Sequence, residues 1–136
     1  FKKPYLIGIH ISEGTNLPSG EKISAIRDII DDQLLGIMLS CVSPENFEIN
    51  LKELKNLNVP FGFKVNAFVT TKPKDGYTST FTKSNGNPNE FLGQREDLTP
   101  QKVGELARNF HNNGATIIGG CCETRPSHIE AMANTI

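Results

Sequence analysis

The chain holds three cysteines in 136 residues, Cys41, Cys121 and Cys122, and two of them are neighbours. A thiol is a soft metal ligand, a nucleophile once it loses its proton, and a small apolar side chain that packs well in a core. Cys41 taken by itself reads most simply as a packed side chain at a strand end. The Cys121-Cys122 pair shifts that balance, because a disulfide between adjacent residues is sterically awkward. Three thiolates would suit zinc, which takes tetrahedral sulfur and nitrogen ligands, or another soft metal, and three protein ligands leave a fourth position for water or substrate. A substrate thiol entering that position would lose its proton and become nucleophilic at neutral pH. Residue types and spacing alone leave the metal reading and the packing reading both open.

Adjacent side chains on a regular strand point to opposite faces, so Cys121 and Cys122 can share one ion only if the backbone turns between them. Gly119 and Gly120 stand immediately before the pair. They are expected to permit the turn and to leave room for a substrate against the backbone. The three histidines are weaker candidates. His10 ends a strand, where a polar contact explains it; His111 lies near a helix end, where the helix dipole and solvent explain it; His128 sits in the first turn of the last helix and reads as structural or as support for the site. Glu13 and Glu123, near strand ends, could meet a substrate amino group, although solvation accounts for most glutamates.

The elements that must position these residues alternate regularly. Tyr5 to Ile11 is a short, mostly apolar, β-branched run suited to a buried strand. Glu21 to Leu35 places Ile23, Ile26, Ile30 and Leu34 at helical spacing. Gly36 to Cys41 is a second strand, and Ser43-Pro44 caps a helix running to about Leu57 with Phe47, Leu51 and Leu54 on its buried face. Val59 to Val65 is a third strand. Residues 66–98 are rich in Thr, Lys, Gly, Asn and Pro without periodicity, which marks a candidate lid or binding segment; within it, Lys72 to Gly76 reads as a solvated turn. Thr99-Pro100 opens a helix that Asn113-Gly114 closes, Ala115 to Gly119 is a fourth strand, and Arg125-Pro126 starts a last helix with Ile129 and Met132 facing inward.

Strands alternating with helices demand parallel pairing through right-handed crossovers, so the fold class is α/β in one domain spanning 1–136. Four βα units make either a small open sheet or half of an eight-stranded barrel, and in both the thiols fall at the C-terminal ends of strands, where parallel α/β proteins assemble their sites.

With 37% hydrophobic and 21% charged residues, the composition is that of a globular protein. Fourteen basic and 15 acidic side chains give a net charge of −1 with no basic stripe, which argues against nucleic acid or anionic lipid as partner. No apolar run approaches the ~20 residues of a membrane span. Few thiols, unsuited to a disulfide scaffold, make a reducing, cytoplasmic setting the expectation. The start at Phe1, without Met and close to a strand, suggests a fragment or processed product.

The segment from Ala115 to Ile129, with Gly-Gly-Cys-Cys followed by Pro126 and His128-Ile129, resembles the closing strand and helix of the homocysteine S-methyltransferase family. Lys3-Pro4 and Leu17-Pro-Ser-Gly20, Cys41 with Pro44, and Asn66-Ala-Phe with Arg95 to Pro100 resemble its fifth, sixth and seventh strand regions in the expected order. The resemblance covers nearly the whole chain but only the C-terminal half of the family domain.

It implies a segment of a (β/α)8 barrel, zinc held by Cys41, Cys121 and Cys122, and methyl transfer to zinc-bound homocysteine from S-methylmethionine, S-adenosylmethionine or betaine. Ser40 stands where members usually have Asn. Two other readings accompany this one: a non-catalytic half-barrel that binds zinc or thiols, self-associates or pairs with an N-terminal half, and the homocysteine module of a cobalamin-dependent methionine synthase.

Overall fold

The computed structural model describes residues 3–11, 13–71 and 92–136. The elements are β1 (Tyr5–Ile9), a 3-10 helix (Ile23–Ile29), β2 (Leu34–Val42), α1 (Pro44–Lys55), β3 (Phe61–Val65), α2 (Pro100–Asn112), β4 (Ile117–Gly120) and α3 (Pro126–Thr135). The strands form one parallel sheet in the order β1-β2-β3-β4.

That order never reverses, so right-handed crossovers carry every helix to the same face. A doubly wound sheet, by contrast, reverses its order and covers both faces. The core agrees: Ile23 and Ile26 of the 3-10 helix, Phe47 of α1, Phe110 of α2 and Met132 of α3 all join Ile37, Leu39, Phe63 and Val65 in one cluster. At its centre the rings of Phe47, Phe63 and Phe110 lie 4.8 to 5.4 Å apart in tilted and edge-on pairs, each pair worth about 0.5–1.5 kcal/mol beyond burial. One-sided winding of this kind is what half of an eight-stranded barrel has.

Several local signals hold as expected. The Ser43 hydroxyl accepts from the Asn46 N–H at 3.1 Å and the Thr99 hydroxyl from the Lys102 N–H at 3.2 Å, each followed by proline in the first turn. Gly114, at φ +101°, terminates α2, and the N–H of Ala115 returns to the Phe110 carbonyl.

Other expectations are corrected. The helix expected over 21–35 is only a 3-10 segment, and Leu34 already pairs with Tyr5 as the first residue of β2. Asp28, Asp31 and Asp32 would crowd the negative end of a longer helix. Asp31 instead makes a turn, its carboxylate accepting from the Gln33 N–H at 2.9 Å. β1 is not buried throughout. Its exposure alternates, with Leu6 50% exposed, because helices cover only one side of this edge strand. In α3 the inward residues are His128 and Met132, whereas Ile129 is 45% exposed. Most of the candidate lid, including Lys72 to Gly76, lies outside the described residues. Its two ends run antiparallel: Val69 N–H donates to the Gly93 carbonyl, Thr70 N–H to Leu92, and Arg95 N–H to Ala67.

Candidate metal centre

All three cysteines reach the same rim, Cys41 and Cys122 by a departure from regular strand geometry. In β2, Ser40 pairs with Lys64 and Val42 with Val65, so Cys41 is an extra residue with no partner position on β3. Its φ of +55° is that of a left-handed residue, the conformation found in β-bulges. The bulge lets Val42 keep its slot in the core while Cys41 leaves the strand's alternation.

Two hydrogen bonds from Asn66 hold that distortion. Its N–H donates to the Val42 carbonyl at 2.9 Å, and its side-chain Nδ2 donates to the Cys41 carbonyl at 2.6 Å while lying 3.8 Å from Cys41 Sγ. The Asn66 carboxamide oxygen accepts from the Phe68 N–H at 3.2 Å, so the amide orientation is fixed from both ends. Asn66 is buried, and sequence reasoning missed its role. The available signal was a polar residue directly after an apolar strand.

The adjacent cysteines solve their problem one step later than expected. Gly119 and Gly120 are the last residues of β4, and neither has positive φ. Cys121 continues the ladder, its N–H donating to the Val65 carbonyl at 2.7 Å, and the chain then turns through Cys122 and Glu123. Thr124 closes the turn with its N–H at 3.2 Å and its hydroxyl at 2.6 Å from the Cys121 carbonyl. Glu123 has φ +60°, as the third residue of a type II turn requires. A side chain on Gly120 would meet the Thr124 hydroxyl, so this glycine is needed for the turn to pack.

The result brings the three sulfurs within 4.8 Å of one another. Cys41 Sγ is 3.7 Å from Cys122 Sγ, and Cys121 Sγ is 3.9 Å from Cys122 Sγ. Tetrahedral zinc with Zn–S bonds of about 2.3 Å places sulfurs about 3.8 Å apart, so the donor set fits that ion in chemistry and, for the two pairs that include Cys122, in spacing. Burial pushes the Cys41 thiol up to about 12, and the hydrogen bonds and charge of Cys121, then of Cys122, push the same way. Burial also raises Cys122. Three thiols this close resist joint ionisation unless a cation offsets their charge.

The histidines stand apart from this cluster. His128 is buried, accepts the Arg125 N–H on Nδ1 and reaches the Leu98 carbonyl with Nε2, both at 3.0 Å. The second contact requires a proton on Nε2, so both ring nitrogens are committed to holding α3. His10 Nδ1 lies 3.3 Å from the Ser40 carbonyl and His111 Nδ1 3.1 Å from that of Ala115. Among the described residues, the cysteines form the one group of three or more metal-ligating side chains brought together.

A family model described as homocysteine S-methyltransferase matches residues 1–136. The chain belongs to that family. Homocysteine S-methyltransferase YbgG of Bacillus subtilis is 26% identical over 126 residues, covering 93% of this chain and 34% of that protein. Homocysteine S-methyltransferase 1 of Saccharomyces cerevisiae is 28% identical over 141 residues, covering 98% and 40% respectively. Homocysteine S-methyltransferase 1 of Zea mays is 25% identical over 126 residues, covering 91% and 35%. The chain thus spans 34 to 40% of the length of these relatives. No helix among the described residues is long and apolar enough to cross a membrane.

Proposed function

We propose that this chain carries the thiol-activating part of a homocysteine S-methyltransferase, with Cys41, Cys121 and Cys122 as the ligands of a zinc ion. The observation that carries the reading is the convergence of three sulfurs within 4.8 Å at the C-terminal ends of β2 and β4. Bound there, zinc would lower the pKa of an incoming thiol and fix its position.

The chain's own residues prepare the place. The Cys41 bulge and the turn closed by Thr124 aim the sulfurs, and Asn66 keeps the bulge from relaxing. Gly119 leaves the rim near Cys121 without side-chain bulk, where homocysteine would lie, while the space at Gly120 is taken by Thr124 and Ile129. Methyl transfer is then a displacement. The homocysteine sulfur forms a bond to the methyl carbon, the donor's bond to that carbon breaks with its electron pair staying on the donor, and the thiol proton passes to solvent. An onium donor such as S-methylmethionine, S-adenosylmethionine or betaine leaves as a neutral sulfur or nitrogen centre, which suits this chemistry.

The test is zinc content of the reduced protein, with sulfur neighbours counted by X-ray absorption before and after homocysteine. About one zinc per chain, with three sulfurs rising to four, supports the reading. Failure to take up zinc under reducing conditions counts against it. The 34 to 40% coverage of the relatives favours a second reading, in which these residues supply the thiol site and other residues the donor pocket. Zinc and homocysteine binding without methyl transfer from any of the three donors would favour that reading.

A further inference from the structure

Among the described residues, the face of the sheet turned away from the helices carries one lysine, Lys64. Phe63 faces the aromatic cluster, so its neighbour Lys64 projects from the opposite face. Register sets its surroundings: Lys64 pairs with Ser40 on one side and Gly119 on the other. Ser40 directly precedes Cys41, and Gly119 lies two residues before Cys121. Adjacent strands are about 4.8 Å apart, so Lys64 lies one strand spacing from the neighbours of both cysteine segments.

Gly119 makes room for the lysine stem. A Cβ built there would lie 3.6 Å from Lys64 Cγ, in ordinary contact, and any larger side chain would compete for the same space. Lys64 is half-buried. Among the described residues its ammonium has no hydrogen-bond or ion-pair partner, and the residues sharing its face include no carboxylate. The ammonium of a half-buried lysine with no counter-charge among the described residues is a ready acceptor of an external anion.

We propose that Lys64 is a specificity-determining residue that binds the carboxylate of an amino-acid thiol whose sulfur is seated at Cys41, Cys121 and Cys122. This rests on the proposed function above and adds to it the group that selects a thiol bearing an anionic end. A rival role for the same charge is to offset the thiolates themselves, and the two roles are separable by experiment.

The test uses the full chain, reduced and zinc-loaded, titrated calorimetrically with L-homocysteine and with 3-aminopropane-1-thiol, which is homocysteine lacking its carboxylate. The original protein is expected to prefer homocysteine by roughly tenfold or more, as a charge-assisted hydrogen bond would give. Lys64→Met should abolish that preference while zinc content and aminopropanethiol affinity stay unchanged, and Lys64→Arg should retain most of it. An undiminished preference in Lys64→Met overturns the assignment. So does a loss of zinc affinity in Lys64→Met with the preference intact, which would mark Lys64 as a counter-charge to the thiolates. If zinc-loaded protein binds neither thiol, the proposed function fails and the carboxylate anchor fails with it.

Discussion

Asn66 Nδ2 donates to the Cys41 carbonyl at 2.6 Å, tying the end of β3 to the residue of β2 that bulges out of the pairing between these two strands. A left-handed cysteine pays a conformational cost of order 1–3 kcal/mol and persists only where its surroundings hold it. The Asn66→Ala change removes the donor and leaves the carbonyl without its side-chain partner. Stability is expected to fall by about 1–3 kcal/mol in urea denaturation. Competition with a chelator should show zinc affinity reduced by about 10–100-fold, the usual cost of losing a residue that orients a ligand. Unchanged zinc affinity would mean that the bulge holds itself.

Replacing single sulfurs tests the ligand set directly. In Cys41→Ser, Cys121→Ser and Cys122→Ser, zinc measured after gel filtration should drop well below one per chain while far-ultraviolet circular dichroism is retained. Stoichiometric zinc in the Cys121→Ser protein would remove Cys121 from the set.

The two glycines before the pair should behave differently. A Cβ at Gly119 meets only Lys64 Cγ at 3.6 Å and the Phe63 carbonyl at 3.8 Å, so Gly119→Ala should change stability little. At Gly120 it meets the Thr124 hydroxyl and, at 3.0 Å, Ile129 Cδ1. Gly120→Ala is therefore expected to destabilise by about 1–3 kcal/mol and to loosen the cysteine turn. Equal melting temperatures for the two variants would contradict this account of the turn.

Arg95 joins three segments. Its guanidinium bonds Asp97 at 2.6 and 3.0 Å and Glu45 of α1 at 2.8 Å, while its N–H holds the Ala67 carbonyl. The hydrogen bond from Arg95 holds the Asp97 carboxyl below its usual range. A carboxyl whose folded pKa is depressed stabilises above its unfolded value of about 3.9 and loses that contribution as pH falls through the folded value. Arg95→Met should lower the melting temperature by a few degrees at neutral pH and low salt. The gap should close in strong acid. A gap independent of pH would assign the effect to packing of the arginine stem.

The helix boundaries were legible because caps, prolines and Gly114 act locally: Ser43-Pro44 and Thr99-Pro100 start helices wherever they occur before an apolar period. The parallel α/β class followed from alternation of elements. The 21–35 segment was misread because isoleucines three and four apart fit a short 3-10 turn as well as an α-helix, and the three aspartates near its end weigh against continuation. Strand order, which separates one-sided from two-sided winding, is a long-range property that local patterns do not encode. The site was legible as a composition of thiols and illegible as a mechanism for gathering them. Nothing in the residue type of Cys41 or Glu123 announces positive φ, and Asn66 acts on a residue 25 positions away.

The inserted residue at Cys41 also bears on protein engineering. Removing one residue from the end of β2 would restore perfect pairing with β3 and at the same time rotate the thiol out of register with its two companions. A sulfur triad of this kind could not be grafted onto another parallel sheet by three point substitutions. The scaffold would need an extra residue in one strand, a left-handed turn after the neighbouring one but one, and an amide from the strand between them to hold the first in place.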